Sequence, residues 1–199
     1  MCFPIFYVDT GAMYRAVALW AKRLGVSSSD MHRLGQLAAE SRFEFVPGTN
    51  TMLLNGEDVT DAIRDPEIGE AASKVSQVPA VRRALVERQR EIGSEASVVM
   101  EGRDIGSVVF PQADVKIFLD AQPQTRAERR ARELDQPTGA VSEQMQQRDR
   151  RDRGRAEAPL VQPPDAEYVD TTGLSIEEVE DNLLKIIRER TSNGKERTR

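Results

Sequence analysis

Cysteine and histidine are almost absent from this chain. Its 199 residues include one cysteine, Cys2, and one histidine, His32. A disulfide needs two cysteines, and a structural zinc site usually needs four ligands drawn from these two residue types. The sequence therefore excludes an internal disulfide framework and predicts no resident metal site.

Long apolar runs and an excess of positive charge are also lacking. No apolar stretch approaches the roughly 18 residues of a membrane-spanning helix, and the first six residues lack the basic start of a secretory signal. These features predict a cytoplasmic protein with no membrane partner. The net charge of −5 argues against a broad nucleic-acid-binding surface, so a cationic site must be local.

The length and the apolar content of 39% predict a single domain, residues 1–199, with one sizeable core. Compact apolar runs predict buried strands at residues 6–8, 98–100, 115–119 and 168–169. Apolar residues at helical spacing predict helices at 12–24, 66–75, 79–92, 125–134, 142–153 and 176–187. Ser175 and Glu178 fit a capping box at the start of the last helix. Residues 43–46 and 52–54, the latter followed by Asn55-Gly56, predict short antiparallel strands joined by turns. This alternation is typical of an α/β fold with a mainly parallel sheet, in which ligands bind beyond the carboxyl ends of the strands.

Two polar clusters follow predicted strands. In the first, residues 9–15 read Asp-Thr-Gly-Ala-Met-Tyr-Arg. This segment is either an ordinary helix start with an exposed Arg15 or an anion site at a helix N-terminus. In the second, residues 101–106 read Glu-Gly-Arg-Asp-Ile-Gly. Here Arg103 and Asp104 form either a local ion pair in a turn or a ligand loop, in which a guanidinium binds a phosphate and a carboxylate accepts from the amine of cytosine.

Two further features carry alternative interpretations. Residues 148–155 contain five arginines and two aspartates, which fits either a solvated helix face or a mobile lid. If the whole run is helical, Arg148, Asp152 and Arg155 share one face, where arginines could shield a phosphoryl group from water. Ser73 and Arg82 lie nine residues apart across Pro79, and they are either surface residues or a pair that reads base edges.

Taken in order, several motifs resemble the bacterial cytidylate kinase family. They are Tyr-Val-Asp-Thr-Gly-Ala-Met-Tyr-Arg from Tyr7, Leu-Asn-Gly-Glu-Asp-Val-Thr from Leu54, Val-Met-Glu-Gly-Arg-Asp-Ile-Gly from Val99, the run 148–160, and Asp-Thr-Thr-Gly-Leu-Ser from Asp170. The resemblance extends from Tyr7 to about residue 190. It implies a P-loop NTPase-like nucleoside monophosphate kinase fold with a β insert at about 41–64 and a lid at about 142–160. Residues 192–199 are predicted to form a disordered tail.

The resemblance also implies roles for individual residues. It assigns cytosine recognition to Ser73, Arg82 and Asp104. It assigns the acceptor phosphate to Arg15, Arg103 and Arg155.

Arg148 and Asp152 match positions on the ribose side, and Thr10 matches a residue that lines the same pocket. Arg148 and Arg155 are the candidate catalytic residues, since arginines near the transferred group stabilise its charge. The implied reaction transfers the γ-phosphate of ATP to CMP or dCMP with Mg²⁺, carried out by a monomer. It needs no side-chain nucleophile, which agrees with the composition.

One family motif is missing from these 199 residues. The pattern G-x-x-x-x-G-K-[ST], whose backbone holds ATP phosphates, occurs nowhere, and Met1–Phe6 stand where the family has a strand and this loop. We therefore expect exposed apolar surface and unpaired strand edges. Two alternatives to a kinase remain: a protein that binds CMP without transferring phosphate, and an RNA-binding protein that uses the run 148–155.

Overall fold

The computed structural model describes residues 5–155 and 157–196, and these form an α/β fold. The strands are β1 (Phe6–Asp9), β2 (Phe43–Phe45), β3 (Met52–Leu54), β4 (Glu57–Asp58), β5 (Val98–Glu101), β6 (Ile117–Asp120) and β7 (Glu167–Asp170). The helices are α1 (Thr10–Arg23), α2 (Met31–Glu40), α3 (Pro66–Val75), α4 (Pro79–Glu95), α5 (Pro123–Leu134), α6 (Thr138–Arg153) and α7 (Ile176–Glu196). The predicted α/β class is confirmed.

The longer strands pair in parallel, as predicted, but in two separate pairs. β1 pairs with β5, in register from Phe6 opposite Val98, and β6 pairs with β7, in register from Ile117 opposite Glu167. Among the described residues, no strand bonds to the second edge of β5 or of β6. The sheet is therefore divided rather than continuous.

Large apolar side chains on these strands are about half exposed. They are Tyr7, Val99, Leu119 and Tyr168, with relative exposures of 53%, 52%, 53% and 51%. An open edge beside such residues offers unpaired N–H and C=O groups together with apolar surface. Residues 1–6 stand in place of the glycine-rich loop, and the first four of them lie outside the described residues.

Helix α1 is the centre of the main core. The N-cap Asp9 accepts a hydrogen bond from the backbone of Ala12 (3.0 Å), and Gly25 follows the helix with a φ of +67°. This left-handed conformation suits glycine, so the predicted stop is confirmed. Buried side chains of α1 pack with those of α2, α3 and α4, including the fully buried Met13, Val17, Leu34, Leu37, Val81 and Leu85. Each large apolar side chain buried here contributes about 1.5–3 kcal/mol of transfer free energy.

Helix α2 was not among the predicted helices. Asp30 caps it by accepting from the backbone of Arg33 (2.9 Å), and its Leu34, Leu37 and Ala38 are buried. Gly35 lies inside the helix, where glycine is unfavourable by about 1 kcal/mol relative to alanine. A Cβ at Gly35 would come within 2.7 Å of Ala80 Cβ on α4, so the glycine permits close helix packing.

Strands β2, β3 and β4 form an antiparallel sheet within the predicted insert of residues 41–64. Asn55 and Gly56 both have positive φ, 53° and 83°, in the tight turn between β3 and β4. Asn-Gly is the preferred pair for such turns. The sequence thus located this turn correctly.

Helix α6 forms most of the arm that the sequence predicts as a lid, residues 142–160, and α5 packs beside it. Arg126 of α5 donates to Asp149 of α6 (2.7 Å), which ties the two helices together. Helix α6 begins at Thr138, four residues earlier than predicted, and buries Val141. It ends at Arg153, so Arg155 does not extend the helical face of Arg148 and Asp152 as a fully helical run required.

The physical reason for this helix end is Gly154, which caps α6 by donating its backbone N–H to the carbonyl of Arg150 (2.9 Å). At the end of the chain, Ser175 and Glu178 form the predicted capping box of α7 (2.8 and 3.2 Å). Helix α7 continues to Glu196 because no proline interrupts its backbone hydrogen bonds. Residues 192–196 of the predicted tail are therefore helical, and 197–199 lie outside the described residues.

Candidate active site

The first predicted cluster lies where β1 runs into α1. Asp9 accepts a hydrogen bond from Arg15 Nη2 (2.7 Å), so the guanidinium is held over the first turn of α1. The hydroxyl of Thr10 donates to the backbone carbonyl of Glu101 (2.7 Å), at the end of β5. The start of α1 is thus joined directly to the carboxyl end of β5, which lies beside β1 in the parallel pair.

A buried ion pair joins the second cluster to α4. Arg82 Nη2 donates to Oδ2 of Asp104, and only 4% and 7% of these side chains are exposed. Arg82 Nη1 also donates to the carbonyl of Ser76 (3.3 Å). The guanidinium carbon lies 5.7 Å from the centre of the Tyr14 ring, within the range of a cation–π contact.

The Tyr14 hydroxyl is buried without a hydrogen-bond partner, as is Nε of Arg82. Burial raises the pKa of Tyr14 to about 12, and the nearby guanidinium of Arg82 opposes this rise. Unpaired buried polar atoms are costly, which makes them candidate contacts for a ligand or for ordered water.

The third cluster is built around Asp152, whose side chain is 1% exposed. Arg155 Nη2 donates to Oδ1 of this carboxylate. Arg103 Nε and Arg148 Nε lie 3.5 and 3.9 Å from Oδ2, too far for good hydrogen bonds, and Oδ2 has no hydrogen-bond partner. Three cations therefore surround one buried anion.

This excess of positive charge affects the arginines themselves. The pKa of Arg148 is lowered, first by desolvation and next by repulsion from Arg103, with a further contribution from Arg15. The Arg148 side chain keeps 46% of its surface exposed, so water screens part of this repulsion. Burial also lowers the pKa of Arg155, and Asp152 opposes that shift. Clustered like charges with perturbed pKa values are typical of a site for an oppositely charged ligand.

The structure brings the nine predicted site residues into one region. Arg155 also donates to the hydroxyl of Ser76 (3.0 Å), and the carbonyl of that residue accepts from Arg82. This links the group around Asp152 to the buried pair of Arg82 and Asp104. Ser73, one turn earlier on α3, is 5% exposed, so it is not the surface residue that its spacing also allowed.

Comparison with known proteins assigns this arrangement to a family. The sequence profile of the cytidylate kinases matches residues 3–189. A cytidylate kinase of Solibacter usitatus is 59% identical over 197 residues, which cover 96% of this chain and 84% of the relative. A second, of Syntrophotalea carbinolica, is 45% identical over 190 residues (92% and 81%). The chain belongs to the cytidylate kinase family.

A bifunctional relative carries the same unit. The pantoate ligase/cytidylate kinase of Synechococcus strain JA-2-3B'a(2-13) is 42% identical over 195 residues, which cover 93% of this chain and 36% of that protein. The predicted family and its enzyme class, a nucleotide phosphotransferase that uses CMP and ATP, are therefore confirmed. An RNA-binding function is not needed to explain the run 148–155.

Two residues that contact this candidate site, Tyr14 and Arg151, were not predicted from the sequence. Tyr14 was overlooked because one aromatic residue on a helix is usually a core residue. Arg151 of α6 donates to Ser73 Oγ (2.8 Å) and to both carboxylate oxygens of Glu70 (2.8 and 3.1 Å). No spacing rule connects residues that lie about 80 positions apart.

The β insert faces the first cluster of the site. A cavity of about 250 Å³ is lined by Asp9 and Arg15 on one side and by Thr51, Thr60 and Arg64 of the insert region on the other. A second cation, Arg64, thus lies near Arg15. The sequence offered no signal for this residue.

The described part of the chain contains neither a metal-binding cluster nor a membrane-spanning helix. Residues 5–155 and 157–196 contain no group of three or more His, Cys, Asp or Glu side chains placed to hold a metal ion. In the same residues, every helix is too short or too polar to serve as a membrane span.

Proposed function

We propose that the protein transfers the γ-phosphate of ATP to CMP or dCMP, giving CDP or dCDP. The observation that carries this proposal is the cationic group around Asp152, which is joined through Ser76 to the buried pair of Arg82 and Asp104. Such a site offers cations to a phosphate dianion and a carboxylate to an amine. Both groups are present in cytidine monophosphate.

The base is recognised by Ser73, Arg82 and Asp104. Oδ2 of Asp104 accepts from Arg82, so Oδ1 is the oxygen that accepts from the exocyclic amine of cytosine. Uracil has a carbonyl oxygen at that position, which would repel the carboxylate. Arg82 orients the Asp104 carboxylate through this hydrogen bond, and the Tyr14 ring, 5.7 Å from the guanidinium carbon, supports Arg82 in turn.

The acceptor phosphate is held by Arg15, Arg103 and Arg155, with Thr10 at the pocket wall. Arg15 lies in the second turn of α1, and its bond to Asp9 holds the guanidinium over the first turn, where free backbone N–H groups add to the attraction for an anion. Guanidinium groups can hold phosphate oxygens through paired hydrogen bonds. Binding of the dianion offsets the repulsion from Arg103, which adds to desolvation in lowering the pKa of Arg148.

Asp152 and Arg148 contact the ribose side, and Arg148 and Arg155 stabilise the transferred phosphoryl group. Charge spreads over the oxygens of that group in the transition state, so positioning and electrostatic stabilisation supply most of the catalysis. The attacking atom is a phosphate oxygen of CMP, and no side chain becomes covalently linked. Arm residues 142–160 bring these arginines in as a lid that excludes water.

ATP is the phosphoryl donor, and Mg²⁺ is proposed to enter with it. Because the described residues supply no metal-ligating cluster, the ion would be held mainly by nucleotide phosphates and water, as Mg²⁺ commonly is. The monomeric state stays a prediction of the family resemblance, and the cytoplasmic location stays a prediction of the sequence pattern.

The deciding assay is CMP-dependent formation of ADP from Mg-ATP by the folded chain. Turnover supports the kinase. Binding of CMP without ADP formation supports the alternative of a CMP-binding protein, predicted from the absence of the G-x-x-x-x-G-K-[ST] pattern in this sequence.

Asp104→Asn tests the assignment of the base site. Loss of a charge-assisted hydrogen bond predicts roughly 10- to 100-fold weaker binding of CMP, with a much smaller effect on UMP. Binding is measured by titration calorimetry on protein whose fold is checked by circular dichroism. An equal loss for both nucleotides would contradict the assignment.

A further inference from the structure

Arg151 connects the lid to the wall of the base site. From α6 it reaches α3, where Nη1 donates to the hydroxyl oxygen of Ser73 (2.8 Å) and to Oε2 of Glu70 (3.1 Å). Nη2 donates to the other carboxylate oxygen of Glu70 (2.8 Å). The paired contact with Glu70 fixes the plane of the guanidinium, and 21% of the Arg151 side chain is exposed.

This contact sets the hydrogen-bonding state of Ser73. A serine hydroxyl has one proton to donate and two lone pairs that can accept. Arg151 uses one lone pair and places a positive charge beside the oxygen, so the hydroxyl proton points away from Arg151 and is polarised into a stronger donor. A second donor approaching the same oxygen would face the guanidinium charge. Ser73 is therefore prepared to donate rather than to accept.

Cytosine and uracil differ in the hydrogen-bonding role of ring nitrogen N3. In cytosine N3 is an acceptor, whereas in uracil N3 carries a hydrogen and is a donor. A hydroxyl that is held as a donor favours cytosine, and it acts in the same direction as Asp104 at the neighbouring amine. Together, the Asp104 carboxylate accepts from the amine and the Ser73 hydroxyl donates to N3, so the two side chains recognise adjacent atoms on one edge of cytosine.

We propose that Arg151 is a positioning residue for base specificity, which holds the Ser73 hydroxyl as a donor to cytosine. The proposal rests on the proposed function, in which Ser73 contacts the base. It gives the lid a role in choosing the nucleotide, because the guanidinium comes from α6 and the hydroxyl from α3. Glu70 assists by fixing the orientation of Arg151.

The test is a double-mutant cycle on the full chain, with dissociation constants for CMP and UMP measured by calorimetry. Arg151→Ala should lower the preference for CMP over UMP about tenfold, as expected for loss of a hydrogen bond to a charged group. In the Ser73→Ala background the same change should have almost no further effect, because its target is gone. Arg151→Lys should keep the charge and still lose most of the preference, since an ammonium lacks the two-pronged geometry.

Two more variants complete the design. Glu70→Gln, at a half-exposed side chain, should lower the preference in the same direction by about threefold, and it serves if Arg151→Ala fails to fold. Arg150→Ala removes an exposed arginine from the next position of the same helix and should leave the preference unchanged. Unfolding by urea is followed for each variant, because a purely structural role would change stability without changing the ratio of the two affinities.

The outcomes separate the two proposals. If Ser73→Ala lowers the CMP preference and Arg151→Ala does not, the positioning role is wrong while the base site stands. Equal weakening of CMP and UMP in Arg151→Ala, or full additivity with Ser73→Ala, also overturns the positioning role. If Ser73→Ala itself leaves the preference unchanged, both the base-site assignment of Ser73 and the inference built on it are wrong.

Discussion

The buried pair of Arg82 and Asp104 should dominate the local energetics of the base site. With 4% and 7% of the side chains exposed, removal of one partner leaves the other charge in a low-dielectric environment without compensation. Breaking such a pair costs about 3–5 kcal/mol, a large part of the stability of a typical domain. We therefore expect Asp104→Leu to lower the free energy of unfolding by that amount. The double variant Arg82→Met/Asp104→Leu should recover more than half of the loss, because no unpaired charge remains.

Urea denaturation followed by circular dichroism measures these differences at neutral pH. Arg88→Met is the matched control, because Arg88 lies on the same helix and forms an exposed pair with Glu91 (2.6 Å). Exposed pairs contribute about 0–1 kcal/mol, so this variant should be nearly neutral. A loss below about 1 kcal/mol for Asp104→Leu, or a double variant less stable than the single one, would show that the pair is hydrated in solution and would refute the reasoning.

Further predictions concern packing and ionisation. A Cβ at Gly102 would collide with Thr10 Oγ1, so Gly102→Ala should destabilise the fold by about 1–3 kcal/mol. A Cβ at Gly139 would meet open space, so Gly139→Ala should be neutral or slightly stabilising. Thermal denaturation of the two variants compares their stabilities. Leu37→Ala should cost about 2–5 kcal/mol in urea unfolding, and a smaller loss would contradict full burial. Because the pKa of Tyr14 is raised to about 12, the phenol loses its proton at lower pH in the unfolded chain than in the folded one. The stability that neutral Tyr14 contributes is therefore present below about pH 10 and is lost as the pH rises towards 12. In an ultraviolet titration, Tyr14→Phe should lack the phenolate absorbance that appears near pH 12.

Local signals in the sequence predicted much of the fold. Helix α1, the Asn55-Gly56 turn and the capping box at Ser175 depend on interactions within a few residues, so their patterns can be read directly. Helix α2 was missed because Gly35 weakens its helical pattern. The benefit of that glycine comes from contact with Ala80 on another helix, which no local pattern contains.

The candidate site was predicted mainly through family resemblance. Spacing alone left each cluster with an ordinary structural explanation, since arginines and aspartates in loops are common surface residues. Burial of Asp152 to 1% exposure and of Arg82 to 4% depends on helices that meet only in the folded chain. The contact of Arg151 with Ser73 likewise joins two helices that meet only in the folded chain.

Folding creates the positive site from an acidic chain. The net charge is −5, yet Arg103, Arg148 and Arg155 come from separate parts of the chain to surround the buried carboxylate of Asp152. One carboxylate cannot neutralise three arginines, and repulsion from Arg103 adds to desolvation in lowering the pKa of Arg148. In the proposed function a phosphate dianion supplies the missing negative charge, because each arginine then gains a partner of opposite charge. The uncompensated positive charge around Asp152 therefore supports the proposal that these arginines bind the phosphate of the acceptor nucleotide.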